Sequence, residues 1–304
     1  PRMPSVPSVS DPDWIRNPID NFVLAKLEEN ALKPAADAPA HVLLRRLCYD
    51  LTGLPPTFSQ LKQFHAAWKK SPERAIDQAV ELLLESPQFG ERWGRHWLDV
   101  ARYAESNGRE VNTTLPHAWR YRDYVIDSFN ADKPYDEFIR EQLAGDLLPA
   151  DSDEEWAEHL IATGFLAVGP KSLIERNRVQ FVADVVDEQL DVTTRVMLGS
   201  SVACARCHDH KFDPIPQSDY YALAGIFAST ATYFGAPASE FGLVGGLQKR
   251  QKSNLIRLPI QDPNPFDPAY TPEELETMKE QLRESRQAYL EYRMERQNQK
   301  SQTT

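Results

Sequence analysis

Apolar positions along most of this chain recur every three to four residues, the period of an amphipathic helix. In "NPIDNFVLAKLEENAL", Ile19, Phe22, Val23, Lys26 and Leu27 trace one face, with Pro18 at a favourable helix start. "HVLLRRLCYDLTGLPP" carries Leu43, Leu44, Leu47, Cys48 and Leu51 at the same spacing and stops at Gly53 and Pro55. "SPERAIDQAVELLLESP" opens on Ser71 as a cap and Pro72 in the first turn; Arg74 stands where a full capping box has Glu or Gln. The same periodicity predicts helices near 89–105, 117–129, 134–148, 153–163, 176–198 and 216–229. Strand-like alternation is scarce, with "NLIRLPI" at 254–260 its best short example. The pattern predicts an all-α fold, a multi-helix domain over residues 15–235.

The texture differs on either side of that domain. Residues 1–14, "PRMPSVPSVSDPDW", are rich in proline and serine and read as a linker. Residues 236–270 are Pro- and Gly-rich and read as loop. Residues 271–304 open with Thr271, Pro272 and Glu274, a capping box with proline at its first position. Leu275, Met278, Leu282, Tyr289 and Tyr292 follow at heptad-like spacing, with Ser285 interrupting the seam. This segment reads as an amphipathic helix that packs on a partner domain outside the chain.

Composition narrows the function. The 304 residues are 41% hydrophobic and 26% charged, as in an ordinary soluble domain. A net charge of -11 argues against nucleic acid, whose phosphates call for a basic surface. No apolar run is long enough to span a membrane. The chain starts at Pro1 without an initiator methionine, as expected of a processed piece of a longer protein. G-x-S-x-G, P-loop and dinucleotide fingerprints are missing from it. Its three cysteines are too few for a disulfide framework, and two of them stand three residues apart, which points to site chemistry.

That pair lies in "SVACARCHDHKFDPIPQSDYYALAGIF", where Cys204, Ala205, Arg206, Cys207 and His208 form the C-x-x-C-H pattern of covalent haem attachment. Two thiols one helical turn apart project to the same side, so each can bond one vinyl group of haem c, and His208 is carried beneath the iron. Zinc is the chemical rival, with Cys204, Cys207, His208 or His210, and Asp213 as ligands. Structural zinc sites draw their second ligand pair from a separate segment, and this sequence has no second C-x-x-C or H-x-x-x-H. An uncommitted thiol pair is the third reading.

The longer segment "CARCHDHKFDPIPQSDYYALAGIF" resembles the second cytochrome-like domain, of unknown function, found in large secreted planctomycete proteins. "NPIDNFVLAKLEENAL", "RRLCYDLTGLPPT", "FGERWGRHWLDVARYAESNG", "HAWRYRDYVIDSFNADKPYDEFIREQLAGDLLP" and "IATGFLAVGP" look like family segments in family order, so the similarity covers roughly residues 15 to 230. Two places depart: "GFLAVGPKS" replaces a histidine-bearing segment of some members, and His117 stands where asparagine is usual. The resemblance implies flanking partners, a cytochrome-like domain before this one and a further domain after it. It carries no settled reaction.

A haem's function turns on the far side of its iron. Met197 and His210 lie too close to the attachment turn to reach it. His96 is the best sixth ligand, on an apparent helical face with Trp93, Trp97, Val100 and Tyr103 that points it inward; a core histidine is the plain alternative. His41, His65, His117 and His159 read as surface residues. Arg120 and Arg122, amid Trp119, Tyr121 and Tyr124, are candidates to pair with haem propionates, against a plain ion pair with a nearby carboxylate. Asp209 and Asp213 read as loop caps rather than ion ligands, and Glu105, Asn107 and Glu110 as a polar loop that could line a pocket.

The reading is therefore a monohaem c-type domain acting in electron transfer with a redox partner, in the periplasm or outside the cell. Cys204, Cys207 and His208 hold haem c and its iron in this reading, with His96 opposite. An open iron site would instead make a haem-dependent oxidoreductase of peroxidase type, and a non-haem zinc module is the remaining alternative.

Overall fold

In the computed structural model the described residues are 3–109, 114–235, 243–244, 247–248, 253–260, 276–277, 280–287, 289, 291 and 294. Their regular structure is helical, apart from an antiparallel pairing of two-residue strands, Leu243–Val244 with Leu247–Gln248. Two compact units are distinguished: residues 1–149 with 158–256, and residues 150–157 with 257–304. In the second unit, residues 280–287 form the longest described run of helix outside 150–157, and Leu282 and Tyr289 are exposed there. The capping box at 271–274 and the heptad positions Leu275, Met278 and Tyr292 lie outside the described residues. "NLIRLPI" forms no strand.

Ten α-helices carry the rest. They are α1 (Pro18–Glu29), α2 (Ala40–Leu51), α3 (Phe58–Trp68), α4 (Pro72–Leu84), α5 (Pro87–Val100), α6 (Trp119–Asn130), α7 (Tyr135–Ala144), α8 (Asp153–Ala162), α9 (Arg178–Leu198) and α10 (Gln217–Ala228). Nine match the periodicity. The one it leaves out, α3, starts at a complete capping box in which Thr57 and Gln60 bond each other's backbone N–H. In α4, Ser71 Oγ accepts from Arg74 N and nothing returns from Arg74, the half-box seen in the sequence.

Helices α2, α3 and α4 bury Leu44, Cys48, Phe64, Ala75 and Leu83 as one cluster, so the α2 stripe faces the core as its spacing says. The α1 stripe does not. Leu24 is the buried residue, while Ile19, Phe22 and Val23 are exposed. Polar contacts tie the preceding segment to α1: Asn21 Nδ2 donates to Pro7 O, and at the surface Glu28 Oε1 accepts from Ser10 N and Oγ.

The largest cluster joins α5, α6 and α7: Trp97, Ala101, Tyr121, Tyr124, Val125 and Phe138 pack with Phe165, Val168 and Val192. Helices α5 and α6 touch through glycine. A Cβ at Gly90 would collide with the Ile126 carbonyl oxygen, and Gly90 N donates to Asn130 Oδ1 at 2.8 Å. Gly90, Gly94 and Trp97 are thus the buried face of α5. At the far end, α9 stops at Gly199, whose left-handed φ of 62° turns the chain toward the cysteines.

Candidate functional site

The C-x-x-C-H segment opens with a 3-10 turn, Val202–Arg206, closed by Cys207. Three residues per turn make positions i and i+3 eclipse. Val202 and Ala205 therefore face inward, packing with Leu190 of α9 and Tyr220 of α10. Cys204 and Cys207 share another side, and both are exposed free thiols. His208, next in line, is exposed too. All three are exposed at the end of this turn.

Hydrogen bonds fix the turn from below. The Arg206 carbonyl accepts from Gln217 Nε2 at 3.0 Å and Tyr221 Oη at 3.2 Å. The Arg206 guanidinium pairs with Asp187 of α9 at 3.1 Å, and Tyr220 Oη donates to the same carboxylate at 2.6 Å. Burial, and then that carboxylate, hold the Tyr220 phenol well above its usual range. Asp209 Oδ1 accepts from Gln217 N at 2.8 Å, capping α10 where its own N-cap, Pro216, offers no side-chain acceptor.

The two histidines of the segment have different work. Nδ1 of His208 lies 2.7 Å from the Asp209 carbonyl oxygen. A carbonyl can only accept, so Nδ1 carries a proton, and in the neutral ring the lone pair is then on Nε2, the tautomer a metal-binding imidazole needs. His210 is turned inward: Nδ1 accepts from Asp213 N at 2.9 Å and Phe212 N at 3.3 Å, and Nε2 faces Ser201 Oγ at 3.2 Å. It organises the exit loop and is not presented to a ligand. Asp213 accepts from Ser200 Oγ at 3.3 Å. Among the described residues no three His, Cys, Asp or Glu side chains gather at metal-holding spacing, so the ligand set considered for zinc is not assembled.

The donor set does fit haem attachment: two exposed thiols on one side, then an imidazole with Nε2 available. Phe212, 83% exposed, and Tyr221 stand on the same loop and helix as apolar surface that a macrocycle could cover.

His96 does not point inward as its helical face predicted. His96 is exposed, its ring tilted against Trp93 with centroids 5.4 Å apart, and Val100 is exposed as well. The apparent aromatic face of α5 lost to the glycine face, because only glycine admits the close approach to α6. Helix α5 packs chiefly on α6, α2 and α4, none of which carries the thiols. The arginines belong to that other half too. Arg122 bonds Glu105 at 3.0 Å and Asp123 at 2.8 Å, the plain ion pair, and Arg120 lies over the Trp119 ring. Both sit on α6, while the turn packs on α9 and α10.

His41, His65 and His117 are surface residues, but His159 is 6% exposed. It borders a buried network unmarked in the sequence. Glu141 accepts from Tyr124 Oη at 2.5 Å and from Lys133 Nζ at 2.7 Å, with His159 Nε2 3.8 Å from the other carboxylate oxygen. Tyr121 Oη accepts from Trp97 Nε1 and donates to Gln142 Oε1. Its signal was an acidic residue on the inward face of α7, Glu141 beside Phe138. A cavity of about 230 Å³ lies over this region, lined by Trp119, Tyr124, Asp127, Lys133 and Glu158 among others, and separate from the thiol turn. In the polar loop, Glu105 pairs with Arg122, Asn107 is buried against the Lys171 backbone, and Glu110 lies outside the described residues.

Residues 18–232 match PSCyt2, described as a protein of unknown function (DUF1549). Neither the curated proteins nor the solved structures yielded a match.

Proposed function

This chain belongs to the PSCyt2 family, whose function is unknown, and on that footing we propose that it is a covalent haem-binding domain that transfers electrons. One observation carries the reading: Cys204 and Cys207 are exposed on one side of a rigidly held turn, and His208 follows with its Nδ1 proton engaged and Nε2 available. Cys204 and Cys207 would hold the group through thioether bonds, each S–H adding across one vinyl group with nothing expelled. His208 Nε2 ligates the iron, and the Asp209 carbonyl holds the ring in the required tautomer. Bound there, haem supplies a reversible one-electron couple.

A carrier has to approach its partner closely, which an attachment turn on the surface favours. The proposal places the domain in the periplasm or outside the cell, beside flanking domains and a redox partner. Among the described residues no helix is long and apolar enough to cross a membrane.

The test is expression together with haem-attachment machinery. The expected product shows a c-type absorption band that resists acid–acetone extraction and is lost in the double variant Cys204→Ser, Cys207→Ser. Wild-type protein without that band, in a soluble helical state, removes the reading. Fast binding of cyanide or peroxide by the ferric form would replace the carrier with an oxidoreductase.

A further inference from the structure

The buried polar network between α6 and α7 supports a redox chemistry apart from the thiol turn. We propose that Tyr103, Tyr121 and Tyr124 form a relay that carries a one-electron oxidising equivalent into the core and holds it on Tyr124. Tyr121 and Tyr124, close to one turn apart on α6, are stacked with ring centroids 6.4 Å apart. Tyr103, just after α5, stacks on Tyr121 at 6.3 Å. Both spacings lie within the range of aromatic contact, so an electron passes from ring to ring. Tyr103 is half-buried and bonds the exposed Glu105, while Tyr121 and Tyr124 are buried, so the line runs inward from the surface.

Each phenol of the line gives its proton to a defined acceptor, and the acceptors differ in basicity. Tyr103 Oη donates to Glu105 Oε1 at 3.1 Å, an oxygen shared with Arg122 at 3.0 Å. Tyr121 Oη donates to Gln142 Oε1 at 2.7 Å, and an amide oxygen is too weak a base to take a proton. Tyr124 Oη donates to Glu141 Oε2 at 2.5 Å, a charge-assisted bond to a buried carboxylate. Burial pushes both inner phenols up, so they rest protonated. An oxidised phenol is a strong acid and sheds that proton. Of the two buried rings, Tyr124 is the one with a base in place to receive it.

The co-reactant is a one-electron oxidant of high potential, such as photogenerated tris(bipyridine)ruthenium(III). It is reduced by one electron from Tyr103, whose proton moves to Glu105 and back as Tyr121 refills the ring. Tyr124 then refills Tyr121, its O–H bond breaks, and the proton passes to Glu141 Oε2. A neutral phenoxyl radical and a neutral Glu141 acid remain. Lys133, which loses its ionised partner in that step, keeps the Glu158 carboxylate 3.7 Å away. The relay does not rest on the haem reading.

Full chain made without haem-attachment machinery is mixed with tris(bipyridine)ruthenium(II) and persulfate, flashed and freeze-trapped. Electron paramagnetic resonance is expected to show a long-lived neutral tyrosyl radical with one narrow set of g-values, as for an oxygen bonded to a single buried acid. Tyr124→Phe should lose that signal. Tyr121→Phe should lose most of it while the Tyr124–Glu141 bond stays in place, which separates the relay from its end point. Circular dichroism and denaturant unfolding check the fold of both variants. Absence of a long-lived radical in the wild type, or an undiminished signal in either folded variant, would overturn the proposal. Should a variant fail to fold, the wild-type spectrum decides, because a broad spread of g-values is the mark of solvated surface rings and overturns it too.

Discussion

Lys171 shows how much one side chain can depend on its setting. Its amine is buried, donates to the Gly169 carbonyl at 2.8 Å and to that of Ala167, and lies near Glu188 and Arg102. Burial outweighs the attraction of Glu188 and pulls the amine down to about 8 from the ordinary 10.5. A neutral amine still has two protons for the two carbonyls, so losing the charge costs none of those bonds. Between pH 8 and 10.5 the unfolded chain holds more protons at this position than the folded one, so stability rises with pH across that window. Against Lys171→Met, which cannot titrate, wild-type protein is expected to gain up to about 3 kcal/mol from pH 8 to 10.5. Denaturant unfolding of both proteins at stepped pH checks this; parallel curves would mean the amine titrates normally.

At the scale of elements, one residue outside a helix can decide how it begins. Pro216 gives α10 no side-chain acceptor, and Asp209, eight residues before Gln217, supplies it from across the exit loop. Asp209→Ala is expected to lower the unfolding free energy by about 1 kcal/mol, while Asp209→Asn, which keeps an accepting oxygen, should lose much less. Chemical denaturation of the pair measures it, and equal losses would show that the capping bond does not matter. The same scale explains what was legible. Capping boxes are local, so the one at Thr57 and Gln60, with Leu61, Phe64 and Trp68 following at helical spacing, announces α3 as plainly as any other start. Which side of a helix faces inward is settled elsewhere. For α5 it is settled by the fit of Gly90 against α6, and in α1 it is Leu24, not the predicted stripe, that is buried.

Across the whole molecule, the chemistry-bearing residues divide between two neighbourhoods. Cys204, Cys207 and His208 rest on α9 and α10; His96, Arg120 and Arg122 belong to the α5–α6 pair. In haem-loaded protein, His96→Ala is accordingly expected to leave the ferric spectrum unchanged, because an exposed ring tilted against Trp93 is not aimed at a shared pocket. Loss of a low-spin band in that variant would return His96 to the iron. The buried Glu141–Lys133–Tyr124 network belongs with the α6 and α7 core, where it satisfies polar groups that would otherwise be stranded.

Helix period, glycine and proline stops, and the three-residue spacing of two thiols before a histidine are local properties, and they alone determined the all-α class, nine of the ten α-helices, and the membership of the thiol turn. The burial of His159, the exposure of His96 and the recruitment of Asp209 to α10 depend on which surfaces meet. Only tertiary structure decided those, because contact between distant segments is set by shape and by the pairing of polar groups, and neither leaves a periodic mark along the chain.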